Sequence, residues 1–328
     1  MKEFRTELIP KNSSSPIGLK DKILAIGSCF ADEMSNRLAE NKFQVWNYFG
    51  TVYNPISIHQ VLAFGLTKEL PPAESYSNNG EIHFNYHFHS CFNSLKKDEI
   101  ENNIRKTIEE VNSFLKSSDR IIITYGTAFV YRLKTNNEIV ANCHKMPSPN
   151  FDKFLLTESE ILKSFNEFYS LFKSINPFCK IILTVSPIRH LKDTLELNSV
   201  SKSILRTSCH SIVNQFSDVE YFPAYEILLD DLRDYRFYKT DRLHPTDEAV
   251  DYIWEKFISS YFDEHARKFI EEWTSIKKEM SHKPFNPDSQ SHQKFLVALL
   301  RRLENIQTQI DVSSEIQKVK SGFINHNS

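Results

Sequence analysis

Short apolar runs alternate with longer amphipathic segments over most of the chain. Short runs of aliphatic and β-branched residues that are bounded by turn residues are typical of strands. Such runs at 23–26, 120–125, 180–185 and 219–222 predict strands, and 43–46 is a further candidate. Strands as uniformly apolar as these are usually covered on both faces, so we expect a buried, mostly parallel sheet.

Helical signals fill the segments between these strands. In the stretch 98–117 the apolar residues recur at the spacing of a buried helix face. Capping residues mark other helix starts, with Asn54 before Pro55 and with Thr157 and Glu160 forming a capping box. The predicted helices span 31–40, 56–66, 98–117, 158–175 and 199–216, and a last one begins at Asp247 behind Thr246.

The order of these elements predicts an α/β fold. Strands that alternate with long helices imply crossover connections and a mostly parallel sheet. We place this α/β domain at residues 1–265 and expect residues 266–328 to form a C-terminal helical extension. An apolar stripe in the extension would pack on the main domain or serve in oligomerisation. The stripe comprises Phe295, Leu296, Leu299, Leu300 and Leu303.

The composition is that of an ordinary globular protein. The 328 residues are 40% apolar, which excludes an intrinsically disordered chain. The 40 Lys and Arg against 42 Asp and Glu leave no basic excess for nucleic acid. Five cysteines at wide spacing indicate neither a disulfide framework nor a zinc ribbon, so no metal is expected. Because we find neither a secretory signal nor a long apolar run, we expect a cytoplasmic protein that makes no membrane contact.

Four short segments carry the candidate chemistry. Three follow predicted strands, and the fourth precedes the last predicted helix of the α/β domain. In an open parallel sheet, ligands bind beyond the carboxyl ends of the strands, so these segments are expected to meet. They are Gly27-Ser28-Cys29-Phe30, Gly126-Thr127, Arg189-His190 and Asp241-Arg242-Leu243-His244.

A Ser or Cys at a strand-to-helix turn, together with a late Asp-x-x-His, is typical of nucleophilic catalysis. The first turn of a helix offers free backbone N–H groups to an oxyanion and favours a thiolate. Asp241 would orient His244, and His244 would act as general base for the nucleophile.

The sequence Ile-Gly-Ser-Cys-Phe-Ala at 26–31 resembles the signature of the GSCFA-domain family. The family is similar to a branch of the SGNH, or GDSL-like, hydrolases. The resemblance implies a three-layer α/β/α sandwich and ester hydrolysis or acyl transfer, and it covers roughly residues 20–260. Further matching segments are 49–55, 126–128, 144–145, 186–190, 223–226, 231–238, 241 and 244–245.

The SGNH resemblance leaves two candidate nucleophiles. The first block of that superfamily is Gly-Asp-Ser, in which Ser is the nucleophile. Gly27 aligns with its Gly, Ser28 with its Asp and Cys29 with its Ser. Cys29 is therefore the expected nucleophile, and a shift of the turn by one residue would give that role to Ser28.

The resemblance also implies residues that bind the oxyanion or the substrate. Backbone N–H groups at 28–30 are candidate donors, and Thr127 stands where the superfamily has an Asn donor. Asn54 has an alternative role as a helix cap, and His144 is expected in a loop that closes over the site. The complete set is Gly50, Asn54, Gly126, Thr127, His144, Arg189 and His190.

These expectations amount to an SGNH-like esterase or acyltransferase that acts on an O-acyl ester through a Cys or Ser nucleophile and a His-Asp pair. No cofactor is required. Family analogy alone extends the substrate to carbohydrate-linked esters. The alternative is a catalytically inactive domain of the same fold that binds a saccharide or a protein partner. The sequence leaves the oligomeric state open.

Overall fold

The computed structural model describes residues 5–323, and a five-stranded parallel sheet forms its centre. In chain order, the strands are β1 (Lys22–Gly27), β2 (Gln44–Trp46), β3 (Tyr76–Asn78), β4 (His83–Asn85), β5 (Arg120–Tyr125), β6 (Phe129–Leu133), β7 (Ile139–Val140), β8 (Phe151–Leu155), β9 (Lys180–Val185) and β10 (Val219–Tyr221). The five strands predicted from the apolar runs are confirmed as β1, β2, β5, β9 and β10.

The central sheet has the spatial order β10-β9-β5-β1-β2, and all of its neighbouring strands are parallel. The chain passes from β1 to β2 on one side and then to β5 on the other side of β1. This reversal creates a crevice at the carboxyl ends of β1 and β5, the usual place for a ligand in such a sheet.

Helices cover both faces of the sheet, which confirms the predicted α/β fold class. In chain order they are α1 (Cys29–Glu40), α2 (Pro55–Thr67), α3 (Lys97–Leu115), α4 (Glu158–Ile175), α5 (Thr194–Gln215), α6 (Ala224–Glu226), α7 (Asp247–Tyr261), α8 (Glu264–Met280), α9 (Gln290–Ile306) and α10 (Ser313–Lys320). Helix α5 begins five residues earlier than predicted, at Thr194, where φ is +70° and the chain bends sharply.

Alternate side chains of each central strand enter two different apolar cores. Leu24 and Ile26 of β1 pack with residues of α2 to α5, whereas Ile23 and Ala25 pack with residues of α1, α7 and α8. The period of two in a strand therefore divides one sheet between two helix layers. The predicted caps also form, since Asn54 accepts from the Ser57 N–H and Thr157 completes its capping box.

Two small antiparallel sheets lie outside the central one. The strands β3 and β4 form a hairpin, and β6 pairs with both β7 and β8. The second of these sheets, residues 129–155, is inserted between β5 and α4. The sequence patterns did not predict it, because its strands are short and only partly buried.

The C-terminal helices pack against the α/β domain. The indole Nε1 of Trp273 donates to the carbonyl oxygen of Glu40 at 2.7 Å, and Lys42 pairs with Glu315 at 2.6 Å. The boundary expected at 265/266 falls within the first turn of α8. The side chains of Leu296, Leu299 and Leu303 from the predicted stripe are buried in the core that α8 shares with α1 and α7.

Candidate active site

The turn between β1 and α1 depends on a glycine. Gly27 has a φ of +143°, and a Cβ there would lie 2.1 Å from the carbonyl oxygen of Thr124 on β5. Ser28 follows as the N-cap of α1, where its hydroxyl accepts from the Phe30 N–H at 3.3 Å. The next residue, Cys29, therefore occupies the first helical position, beside the crevice at the carboxyl ends of β1 and β5.

The two candidate nucleophiles have different surroundings. Ser28 is fully buried, and its hydroxyl is occupied as the helix cap. Cys29 is partly exposed and lines a cleft of about 390 Å³ at the carboxyl edge of the sheet. The cleft is thus open to the thiol of Cys29, whereas Ser28 is not among its lining residues.

The thiol has a partner that the sequence analysis did not single out. The Oη of Tyr53 lies 3.4 Å from the Sγ of Cys29, and the Tyr53 ring meets the His190 ring edge to face. Burial, followed by the contact with Cys29, raises the pKa of the Tyr53 phenol. The phenol therefore stays protonated at neutral pH and can donate to the sulfur. Tyr53 lies inside the 49–55 motif, which is the signal that could have indicated it.

His244 and Asp241 form the predicted pair, with His244 in the lining of the cleft. The Nδ1 of His244 lies 2.6 Å from an Asp241 carboxylate oxygen, and His244 lines the cleft. The other Asp241 oxygen accepts from the N–H groups of Leu243 and His244 at 2.8 and 3.0 Å. These three hydrogen bonds lower the pKa of Asp241 to about 2. The carboxylate therefore remains charged over the whole neutral range and fixes the orientation of the imidazole.

Several residues predicted for the site meet in the cleft, although they come from distant parts of the chain. The thiol of Cys29 has Tyr53 as its hydrogen-bond partner among residues 5–323, so it does not bond directly to His244. Catalytic hydrogen bonds are often long before substrate binds. The predicted residues that line the cleft are Cys29, Asn54, Thr127, Arg189, His190 and His244.

Two of the three backbone N–H groups expected at 28–30 as oxyanion donors already have partners. The Ser28 N–H donates to Thr124 at 3.1 Å, and the Phe30 N–H is occupied by the Ser28 hydroxyl. This leaves the N–H of Cys29 as the donor of that turn. The hydroxyl of Thr127 lines the cleft but exchanges a hydrogen bond with Ser201 at 3.0 Å.

The other two predicted glycines and Asn54 shape the backbone around the cleft. The N–H of Gly126 donates to the carbonyl oxygen of Tyr53 at 2.7 Å, which ties the end of β5 to the loop before α2. Gly50 has a φ of +70° and lies against His89, so a side chain there would collide with the imidazole. Neither glycine is among the residues that line the cleft. The side chain of Asn54 is occupied by Ser57 as the cap of α2.

His144 does not lie over the cleft, which corrects the expectation that it binds substrate. It is buried and stacks on Phe84 at 4.4 Å between ring centroids. Its Nε2 lies 2.9 Å from the carbonyl oxygen of Asn85 and 3.1 Å from that of Phe88. Burial lowers its pKa to about 4. The ring is a structural donor that joins the hairpin to residues 141–146.

His190 and Arg189 do line the cleft. The ring of His190 is largely enclosed, and burial, assisted by the charge of Lys202, lowers its pKa to about 4. It is therefore neutral at physiological pH. The guanidinium of Arg189 lies over the ring of Tyr238 at 4.0 Å and over that of Tyr235 at 5.2 Å.

The chain matches models of known protein families. A family model described as the GSCFA family matches residues 22–257. The chain belongs to the GSCFA family. A second model, the C-terminal domain of GSCFA domain proteins, matches residues 273–324, and the search of curated proteins found no match.

Among solved structures, this GSCFA protein is similar to a candidate platelet activating factor from Streptococcus pneumonia. The TM-score is 0.40 at 12% sequence identity, and the match covers 74% of this chain and 85% of the other.

Within residues 5–323, no helix combines the length and apolar character needed to cross a membrane. The same residues contain no group of three or more His, Cys, Asp or Glu side chains that could hold a metal ion.

A buried lysine lies beneath the cleft of this GSCFA protein. The ammonium of Lys202, on α5, donates to the carbonyl oxygens of Gly126 and Ser186 at 2.6 and 2.7 Å. These carbonyls follow the adjacent strands β5 and β9, so Lys202 ties the two strand ends together. Sequence reasoning missed it because a lysine on a predicted helix is usually exposed to solvent. Complete burial lowers its pKa to about 7.

The low pKa of Lys202 predicts a distinctive pH dependence of stability. Between about pH 7 and 10.5 the unfolded chain binds more protons at this residue than the folded chain does, so Lys202 contributes an upward slope to the free energy of unfolding. The contribution is at most about 1.4 kcal/mol per pH unit, and cysteines whose pKa is raised by burial contribute a downward slope above about pH 8.5. In urea denaturation across this range, the slope of the free energy of unfolding against pH should therefore be more positive in the wild type than in Lys202→Met. The exposed Lys163→Met is the control, and equal slopes in Lys202→Met and the wild type would contradict the prediction.

Proposed function

We propose that this GSCFA protein is an SGNH-like esterase or acyltransferase in which Cys29 attacks an O-acyl ester. One observation carries the proposal: the thiol of Cys29 and the imidazole of His244, which Asp241 holds from outside the lining, lie in the same cleft at the carboxyl edge of the sheet. Nucleophile, base and orienting carboxylate are the three parts of a catalytic triad, which is defined by geometry and not by order in the sequence.

His244 would take the proton of the Cys29 thiol through its Nε2. Its Nδ1 is held by Asp241, which sets the tautomer and stabilises the imidazolium once it forms. The thiolate then attacks the acyl carbonyl carbon, and the carbonyl electron pair moves to the oxygen. The Tyr53 hydroxyl, 3.4 Å from the sulfur, would donate to the thiolate before attack.

The tetrahedral intermediate would place its oxyanion near the N–H of Cys29 at the start of α1. A helix N-terminus favours negative charge because its first N–H groups are unpaired. Collapse of the intermediate breaks the ester bond, and His244 returns the proton to the departing alcohol. The resulting thioester is then cleaved by water or by an acceptor hydroxyl, with His244 again removing the proton.

The proposal is tested by hydrolysis of p-nitrophenyl acetate under reducing conditions. We expect Cys29→Ala to lower kcat/KM by a factor of at least about 100, as removal of a covalent nucleophile does. Ser28→Ala should keep most of the activity and lose about 1 kcal/mol of stability, because it removes a helix cap. Cys91→Ala, which removes an exposed cysteine elsewhere, is the matched control.

Mass spectrometry of the acid-quenched reaction adds a direct observation. An acetyl group on the peptide that contains Cys29 would support the thioester intermediate. Activity that survives Cys29→Ala and disappears in Ser28→Ala would instead make Ser28 the nucleophile. A wild type that neither turns over nor becomes acylated would favour the non-catalytic binding domain.

A further inference from the structure

We propose that the cleft selects substrates that carry a negative charge, which Arg189 and Lys192 bind beside the reacting carbonyl. That the substrate is an ester rests on the proposed function. The preference for an anion rests on the charges of the cleft itself, and the two can fail separately.

The charged side chains that line the cleft are unbalanced. Arg189, Lys192 and Asp193 are the charged residues in its wall, together with the titratable His190 and His244. Asp193 is neutralised by an ion pair with Lys153. Its carboxylate is therefore not free to balance Arg189 or Lys192.

Both cations are held by aromatic rings and not by carboxylates. Arg189 lies over Tyr238, and Lys192 lies over Tyr131 at 5.4 Å. Within residues 5–323, neither Arg189 nor Lys192 has a carboxylate oxygen within 4 Å, the distance of a salt bridge. An aromatic face stabilises a cation and fixes its position but does not neutralise its charge. One Nη of Arg189 donates to the carbonyl oxygen of Arg242 at 3.4 Å, and its side chain also bonds that of Tyr238. The remaining guanidinium donors and the Lys192 ammonium have no carboxylate partner within residues 5–323, so they can bind an anion.

A third positive charge lies beneath the floor of the cleft. Lys202 is buried, and its hydrogen-bond partners are the carbonyls of Gly126 and Ser186. Its influence on its surroundings is visible at His190, whose pKa falls through burial and then through the charge of Lys202. When Lys202 is protonated, its charge adds to that of the two cations in the wall.

Two carboxylates near the cleft lie outside its lining. The charge of Asp32, on α1, reaches Tyr53, and its oxygens accept hydrogen bonds from Asn47 and Thr51. Asp241 accepts from His244 and from two backbone N–H groups, and it is not among the lining residues. The lining of the cleft thus holds two cations without a carboxylate partner and no unpaired carboxylate, and Lys202 adds a buried cation outside the lining. This distribution attracts an anion and repels a cation.

The charge preference is testable at the thiol of Cys29 without any catalysis. Iodoacetate and iodoacetamide alkylate the same thiolate, and they differ in that iodoacetate carries a negative charge. The rate constant for iodoacetate divided by that for iodoacetamide therefore cancels the reactivity of the thiol and reports the local electrostatic potential. Peptide mass spectrometry would give this ratio for Cys29 in the native chain and in the chain unfolded by urea.

We expect the ratio at Cys29 to be about threefold or more higher in the native chain than in the unfolded chain, which corresponds to one unscreened charge a few ångströms away. Added salt should reduce the difference. Arg189→Gln and Lys192→Gln should each lower the ratio, and the double variant should approach the unfolded value. Lys163→Gln, which removes an exposed charge from α4, should leave the ratio unchanged.

A native ratio equal to or below the unfolded ratio would overturn the proposal, and so would a ratio that both variants leave unchanged. A second arm compares p-nitrophenyl benzoate with the p-nitrophenyl monoester of terephthalic acid, whose rigidly held carboxylate cannot attack its own ester. Faster turnover of the charged ester, reduced by Lys192→Gln, supports the proposal. A raised alkylation ratio without any turnover would contradict the esterase function alone. Turnover without a raised ratio would contradict the anionic preference alone.

Discussion

Replacement of His244 by alanine is expected to lower kcat/KM for ester hydrolysis by a factor of about 1,000 or more, because a triad without its base keeps only oxyanion stabilisation and binding. Among the described residues that line the cleft, the other histidine is His190. Its pKa is lowered to about 4, so it is a weak proton acceptor. Steady-state kinetics with p-nitrophenyl acetate measures the loss.

The control for His244→Ala is His265→Ala, which removes an exposed histidine from α8. Circular dichroism and thermal unfolding should show both variants folded. Asp241→Asn should also reduce kcat/KM strongly, since the amide no longer holds the imidazole in the required tautomer. A His244→Ala variant with wild-type kinetics would contradict the proposed role of the base.

The pH profile of the wild type provides a related check on the same pair. The pKa of Asp241 is about 2 and lies below its usual value, so its carboxylate is protonated only as the pH falls toward that value. Loss of activity at mildly acidic pH must therefore come from another group. An acid limb that remains in the residual activity of Asp241→Asn, even at a shifted pH, would agree with this assignment, and one that disappears would contradict it.

Gly27→Ala is expected to destabilise the protein by about 2 to 6 kcal/mol, the sum of backbone strain at positive φ and of steric overlap in a packed interior. The added methyl group would lie 2.1 Å from the Thr124 carbonyl oxygen, so β1 and β5 would have to separate. Urea denaturation monitored by tryptophan fluorescence measures the change in the free energy of unfolding.

Gly80→Ala is the matched control for Gly27→Ala. Gly80 also has a positive φ, +101°, but no atom lies within 4 Å of the position that its Cβ would take. It should therefore suffer the backbone strain without the overlap, and lose about 1 to 3 kcal/mol. Equal losses in the two variants would show that the close approach of β5 to Gly27 contributes nothing.

Several features of the site were predictable because they depend on neighbours in the sequence. Asp241 and His244 are three residues apart, so one turn of backbone brings them into contact. The cap at Asn54 and the turn at Gly27 also follow from local backbone geometry. Apolar runs predicted the central strands for the same reason, since each run reports the burial of its own segment.

Other features depended on neighbours that are distant in the sequence. Lys202 and His144 are polar residues whose burial is set by surrounding elements, so one was overlooked and the other was placed at the wrong surface. The antiparallel sheet at 129–155 contributes one wall of the cleft through Phe129 and Tyr131. Its short strands carry little periodic signal.

The amino-acid sequence by itself determined the α/β class, the turn that presents Cys29 and the Asp241–His244 pair, because each of these arises within a short stretch of chain. Only the tertiary structure decided which side chains share the cleft. The order of strands in the sheet brings Cys29, Tyr53 and His244 together, and it leaves Ser28 buried as a cap. Those outcomes depend on packing between distant segments, which no local pattern of residues encodes.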